Sequence, residues 1–191
     1  AISCAGCHFK DGRGRPPAFD GDLARGLLLR LNIPQTDVHG GYLPDPVYGG
    51  QLQDIAIAGQ TTQGSYTITY QYFNEIYADG TSVELRKPIY TIGQLGYGPL
   101  SASTQVSPRI ANQMIGMGLL EAIPEATLLG LQDTNDADGD GISGKANYVF
   151  DVESQSVKMG RFGWKANQPS IKQQVAGAFA GDIGITSSIF P

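Results

Sequence analysis

The sequence predicts an α+β fold in which short helical segments carry an inserted antiparallel β-hairpin on long loops. Three observations predict it. The stretch SYTITYQY, Ser65 to Tyr72, alternates in polarity, and after the Asp-Gly turn of YADGT the stretch SVELRKPIYTI returns beside it, with Pro88 confining that strand to an edge. In PRIANQMIGMGLLEAIPEATLLGL the apolar side chains Ile110, Met114, Met117, Leu119 and Leu120 recur at a spacing compatible with helix despite two glycines. The chain holds 26 glycines in 191 residues, so many connections must be tight or irregular. No linker or internal repeat divides it, and one domain over residues 1–191 is expected.

The remaining elements follow in order. GLLLRLNIP, Gly26 to Pro34, is an apolar run bounded by glycine and proline and reads as a strand. TDVHGGYLPDPVYGGQLQD is rich in turn residues. Pro124 opens a second short helix. Ser170 with Gln173 forms a capping-box pattern ahead of Ile171, Val175, Ala178 and Phe179, which share one helical face, and Gly181 ends that helix.

Composition sets limits on function. A net charge of -5 argues against a nucleic-acid-binding surface, and no apolar run is long enough to span a membrane.

Chemistry is concentrated at the N-terminus. Ser3 to Pro17 reads SCAGCHFKDGRGRPP and holds both cysteines, Cys4 and Cys7, with His8 directly after the second. This C-x-x-C-H pattern reads as covalent attachment of a c-type haem: each thiol adds to one vinyl group, and the intervening turn brings His8 beneath the iron as proximal ligand. Three rival readings are weaker. A Cys4–Cys7 disulfide would close only a tiny loop and leave His8 unexplained. Zinc would need a fourth ligand, with only the distant His39 or a carboxylate to supply it. A thioredoxin-like pair would sit at a strand-to-helix junction in a βαβ setting that these glycines and prolines do not suggest. Lys10, Arg13 and Arg15 follow; they read either as solvated loop charges or as partners of a haem propionate, which a guanidinium matches in two-pronged fashion.

Haem of this kind is attached outside the cytoplasm, so a periplasmic or secreted protein is expected. Ala1 lies only three residues before Cys4, unusually close for signal cleavage, and the sequence reads as an interior section of a larger polypeptide.

A second motif is DTNDADGDGISGKAN, Asp133 to Asn147. Asp136, Asp138 and Asp140 are spaced by two, Gly141 follows as pivot, the carbonyl of Ile142 is a further donor, and Asn147 falls at the twelfth position. This is close to a calcium loop, with Asn147 where a bidentate glutamate would stand. The plainer reading is an Asp/Gly loop. Four carboxylates in a short arc repel one another, and a cation would relieve that.

Five ordered stretches carry a resemblance: CAGCHFKDGRGRP at the start, YGGQLQ from Tyr48, GMGLLEAIPE from Gly116, DADGDGISGKAN from Asp136 and GRFGWKA from Gly160. Together they resemble the bacterial di-haem oxidoreductase family, also labelled thiol oxidoreductases, which is similar to the di-haem cytochrome c peroxidases. The resemblance spans nearly the whole chain. It implies a secreted or periplasmic protein with two cytochrome-c-like haem domains and a redox function, often peroxidase. Only one C-x-x-C-H is present, so the chain reads as the first haem domain only, a cytochrome-c-like helical domain carrying the hairpin. Its partner would be a second haem domain or a redox partner protein.

On that reading the haem is a peroxidatic centre or an electron relay, and its sixth ligand decides which. Met114 and Met117 are the leading distal candidates, ahead of His39 and Met159, and each methionine is equally suited to core packing. Glu121 is the candidate acid for O–O cleavage, against a structural pairing role. Trp164, the only tryptophan, is a candidate conductor between haems or a core anchor. Two function classes follow: an oxidoreductase domain that needs a second haem, and a monohaem electron carrier or structural cytochrome module.

Overall fold

Strand β1, Leu27–Asn32, shows how the sequence builds its core: Leu27, Leu29 and Leu31 point inward and are buried, while Arg30 between them is exposed. In the computed structural model, residues 3–22 and 26–191 are described. They fall into two compact units, one of Cys4–Pro34 with Pro44–Ala111, the other containing Gln35–Leu43 and Asn112–Pro191.

In the first unit β1 pairs antiparallel with β4, Gln105–Ile110, from Leu27 opposite Ile110 to Asn32 opposite Gln105. The YGGQLQ stretch lies along the other side of β1, with Leu31 N donating to Gly50 O and Leu52 N to Leu29 O, both at 3.0 Å. Its lead-in is fastened by the buried Asp45, whose carboxylate accepts from Val47 N at 2.9 Å, Tyr48 N at 2.8 Å, Ser101 N at 3.1 Å and the Thr104 hydroxyl. Burial pushes the Asp45 carboxyl up, and these hydrogen bonds, that of Thr104 first, outweigh it and hold the group below its usual value. Leu29, Leu31, Tyr48 and Leu52 form the core, with Tyr66, Tyr90 and Ile92 packed against it.

The expected hairpin is present. β2, Ser65–Ile76, pairs in unbroken register with β3, Ser82–Gly93. Gly80 turns the chain at φ +86°, and the Asp79 carboxylate accepts from Thr81 N at 2.9 Å. Pro88 sits opposite Tyr70 in a sheet of two strands, where a missing N–H costs no ladder bond on the open side.

The second unit contains α2, Met117–Ala122, α3, Glu125–Leu129, the strand pair β5, Tyr148–Asp151, and β6, Ser156–Met159, and α4, Ile171–Ala178. Pro124 caps α3 as expected. Ser170 Oγ accepts from Gln173 N at 3.2 Å and starts α4.

The cytochrome-c-like helical domain is not what the chain forms. Three two-stranded antiparallel sheets dominate, and the longest helix among the described residues, α4, has eight residues. The cause lies in the glycines and prolines. Ile110 belongs to β4, the expected helix starts only after Gly116, which is in the left-handed region at φ +83°, and Pro124 cuts it off after six residues. Helices this short gain little from propagation after the cost of nucleation.

Two smaller expectations also change. Gln173 and Ala176 are the buried positions of α4, in place of the face from Ile171 to Phe179: the Gln173 amide is drawn inward, donating to Phe150 O and Gln168 Oε1 and accepting from Val152 N. Gly181 does not end the helix. A widened turn, Phe179–Ile183, follows α4, and Gly184 at φ +76° ends it.

Candidate haem-attachment site

Residues Cys4–Cys7 form a single helical turn, α1, and His8 N donates to Cys4 O at 2.9 Å. Cys4, Cys7 and His8 therefore stand at i, i+3 and i+4, the spacing that places side chains on one face of a helix. Cys4 is exposed and Cys7 half-buried, and no disulfide joins them. His8 Nδ1 lies 3.2 Å from Gly12 O. A carbonyl only accepts, so Nδ1 carries the proton and Nε2 is the nitrogen with the lone pair in the neutral ring. This is the orientation a metal-binding imidazole needs. The residues present fit a haem held by two thioethers and one imidazole.

The turn is anchored from several sides. A Cβ at Gly26 would come within 2.4 Å of Cys7 O, so that position requires glycine for space as well as for its φ of +90°. Gly14 N donates to Ala111 O at 3.0 Å, and Gly21 N to Ile68 O at 2.9 Å. The hairpin reaches back to the same loop: Tyr70 hydroxyl and Arg86 Nη2 both donate to Pro17 O, at 2.9 and 3.0 Å.

Arg15, in sequence a loop charge or a propionate partner, forks onto Asp22, with Nη2 to Oδ1 at 2.9 Å and Nη1 on Oδ2. That guanidinium hydrogen bond, with one from Ala18 N, draws the Asp22 carboxyl down to about 2. Arg13 remains an exposed cation, its backbone paired with Lys10.

The other predicted site residues belong to the second unit. Met114 and Met117 flank Gly116; Met114 is exposed and Met117 half-buried. Met159 is buried at the end of β6. The His39 ring stacks on Phe150 with centroids 3.7 Å apart. Glu121 Oε1 accepts from Ile171 N at 2.8 Å, satisfying a backbone donor in the first turn of α4. Trp164 is 62% exposed, so it does not anchor a core.

In the acidic loop the structure brings Asp133, Asp136 and Asp138 together, with one carboxylate oxygen from each within 4.8 Å of the others. Asp133 was noted in sequence for its charge and not as a ligand. Asp140 stands outside that group and accepts from Ile142 N at 2.8 Å, and Asn147 donates its amide to Lys165 O and Ala166 O at 3.2 and 3.0 Å. The Ile142 side chain is exposed.

No helix among the described residues is long and apolar enough to cross a membrane. No curated protein and no solved structure matches the chain. One family model does, over residues 1–191, and its description reads "Di-haem oxidoreductase, putative peroxidase". With the whole length matched, the chain belongs to the di-haem oxidoreductase family.

Proposed function

We propose that this chain is a c-type haem redox unit, with haem bound covalently through Cys4 and Cys7 and ligated by His8 Nε2. The observation that carries the reading is the placement of the three side chains on one turn, with His8 Nδ1 tied to Gly12 O. Bound haem would supply one-electron chemistry at iron. The chain's own residues hold and orient it: the thiols fix the porphyrin edge, Gly12 O fixes the imidazole, and Gly26 lets the backbone pack against Cys7.

Family membership favours an oxidoreductase working with a second haem, in peroxide reduction or electron transfer. Peroxide reduction takes two electrons, and on the family reading a second haem helps to store or deliver them. The section is therefore proposed to be incompetent alone, with the first haem domain as its role. A methionine distal ligand, Met114 or Met117, goes with the electron-transfer role, and an open position goes with peroxide reduction. The single C-x-x-C-H favours a second reading, a monohaem electron carrier or structural cytochrome module. Ferric haem spectra with and without peroxide separate the two: a high-spin, peroxide-responsive iron supports the first, and an unresponsive low-spin iron the second.

Calcium is proposed at Asp133, Asp136 and Asp138, where it would offset their mutual repulsion. Covalent haem attachment places the protein in the periplasm or outside the cell on this reading. Denaturing mass spectrometry tests the covalent haem directly.

A further inference from the structure

The inner half of the hairpin carries a row of tyrosines. Tyr66, Ile68, Tyr70 and Tyr72 alternate along β2 and share one face, and Tyr90 on β3 stands opposite Ile68. Tyr90 is thus the diagonal neighbour of both Tyr66 and Tyr70, a relation that spans about 7–8 Å and lies within reach of aromatic rings. All three phenols pack on the same buried pair, Leu27 and Ile68. Tyr70 and Tyr72 follow with ring centroids 6.4 Å apart. The row runs from the core to water, since Tyr66, Tyr90 and Tyr70 are half-buried and Tyr72 is 57% exposed.

The inner end of this row approaches the haem-attachment turn. Leu27 follows Gly26, whose backbone packs directly on Cys7 O. Burial, then Asp54, Tyr90 and Cys7 together push the Tyr66 phenol up to about 12, so all three lie within electrostatic reach of its hydroxyl. Burial and then Tyr70 raise Tyr90. Arg86 lies over the Tyr70 ring at 4.3 Å and holds it in place.

We propose that Tyr66, Tyr90, Tyr70 and Tyr72 form a path that carries single electrons between a haem held at Cys7 and a one-electron donor at the exposed side of the hairpin. The proposal rests on the haem reading above. Core packing alone explains Tyr66 and Tyr90, but leucine or valine would serve packing equally, and packing does not explain the continuation to an exposed Tyr72. Four oxidisable rings in sequence divide one long transfer into short ones. In each step a tyrosine gives one electron inward and takes one from its outer neighbour, its phenolic proton leaving and returning locally. For Tyr66 the Asp54 carboxylate, within electrostatic reach of the phenol, is the proposed proton acceptor. Net, the external donor is oxidised by one electron, haem that peroxide has oxidised above the ferric state is reduced by one, and no bond is made or lost; ferric haem is too weak an oxidant to take an electron from a phenol.

The test uses the haem-loaded protein carrying a ruthenium tris-bipyridine photosensitiser on an Asn74→Cys side chain, two residues beyond Tyr72 on the same face. Flash excitation with an external quencher generates the oxidant, and oxidation of ferrous haem is followed by its absorption, with the transient tyrosyl radical as second readout. In Tyr90→Phe and Tyr66→Phe proteins the haem oxidation rate should fall by about tenfold or more. Tyr97→Phe, also in this unit but outside the row, should leave it unchanged. Equal rates in all of these with haem present would overturn the path alone. Absence of haem by mass spectrometry would overturn the haem reading and the path with it.

Discussion

Arg161 donates Nη1 to Ile123 O at 2.6 Å and to Glu121 O at 3.0 Å, so one guanidinium from the GRFGWKA stretch closes the C-terminal end of α2. The last carbonyls of a helix have no partner within it, and a cation there also meets the negative end of the helix dipole. Two of the stretches that carry the resemblance, GMGLLEAIPE and GRFGWKA, are therefore joined by a single side chain. Arg161→Ala should destabilise the protein by about 2 kcal/mol, the scale of hydrogen bonds to a charged group. Urea unfolding checks this, and Arg161→Lys should recover part of the loss.

Asp45 concentrates more backbone donors than any other carboxylate described here. Asp45→Ala would strand Val47 N, Tyr48 N and Ser101 N near the core, at a cost of about 3 kcal/mol. Asp45→Asn keeps an acceptor oxygen and should cost less. Equilibrium unfolding of both variants makes the comparison.

The Arg15–Asp22 pair predicts a pH dependence. Asp22 titrates at about 2 in the folded protein, held down first by Arg15, and at about 3.9 in an unfolded chain. The unfolded state thus binds the proton more readily. The contribution to stability is complete above about pH 4 and is lost as pH falls through about 2. Unfolding midpoints measured across this range should fall less steeply in Asp22→Asn, and an identical slope in both proteins would exclude the pair as the cause.

Calcium should raise the melting temperature. An ion at one hundred times its dissociation constant adds about 2.7 kcal/mol. Asp133→Ala should weaken the response as much as Asp138→Ala, because both carboxylates belong to the same convergent group. Asp140→Ala should weaken it less. A melting curve indifferent to calcium and to chelator would reduce the loop to an acidic turn.

The hairpin and β1 were legible because both rest on local signals: alternation, an Asp-Gly turn, and leucines at every second position. The C-x-x-C-H turn was legible for the same reason, being written in adjacent residues. What misled was the stretch from Ile110 to Met117. Its apolar spacing fits a helix, yet Ile110 is taken by pairing with Leu27, a partner far away in sequence. In sequence Arg15 reads as a loop charge or a propionate partner, because Asp22 comes seven residues later in a loop, where no periodicity announces the pair. Asp133 was overlooked as a ligand because the calcium-loop template starts at Asp136, and only the fold of the loop brings its carboxylate in. In sequence Glu121 reads as a catalytic acid or a structural partner, and the backbone donor it meets belongs to α4, fifty residues on.

The central claim is that Cys4 and Cys7 hold haem covalently with His8 as its ligand. Mass spectrometry of the denatured protein, after production in a host that matures c-type cytochromes outside the cytoplasm, tests it most directly. The account predicts a chain mass increased by one haem that survives denaturant, with attachment abolished in Cys4→Ser/Cys7→Ser. A chain at its bare mass, or haem that washes away on unfolding, would contradict it.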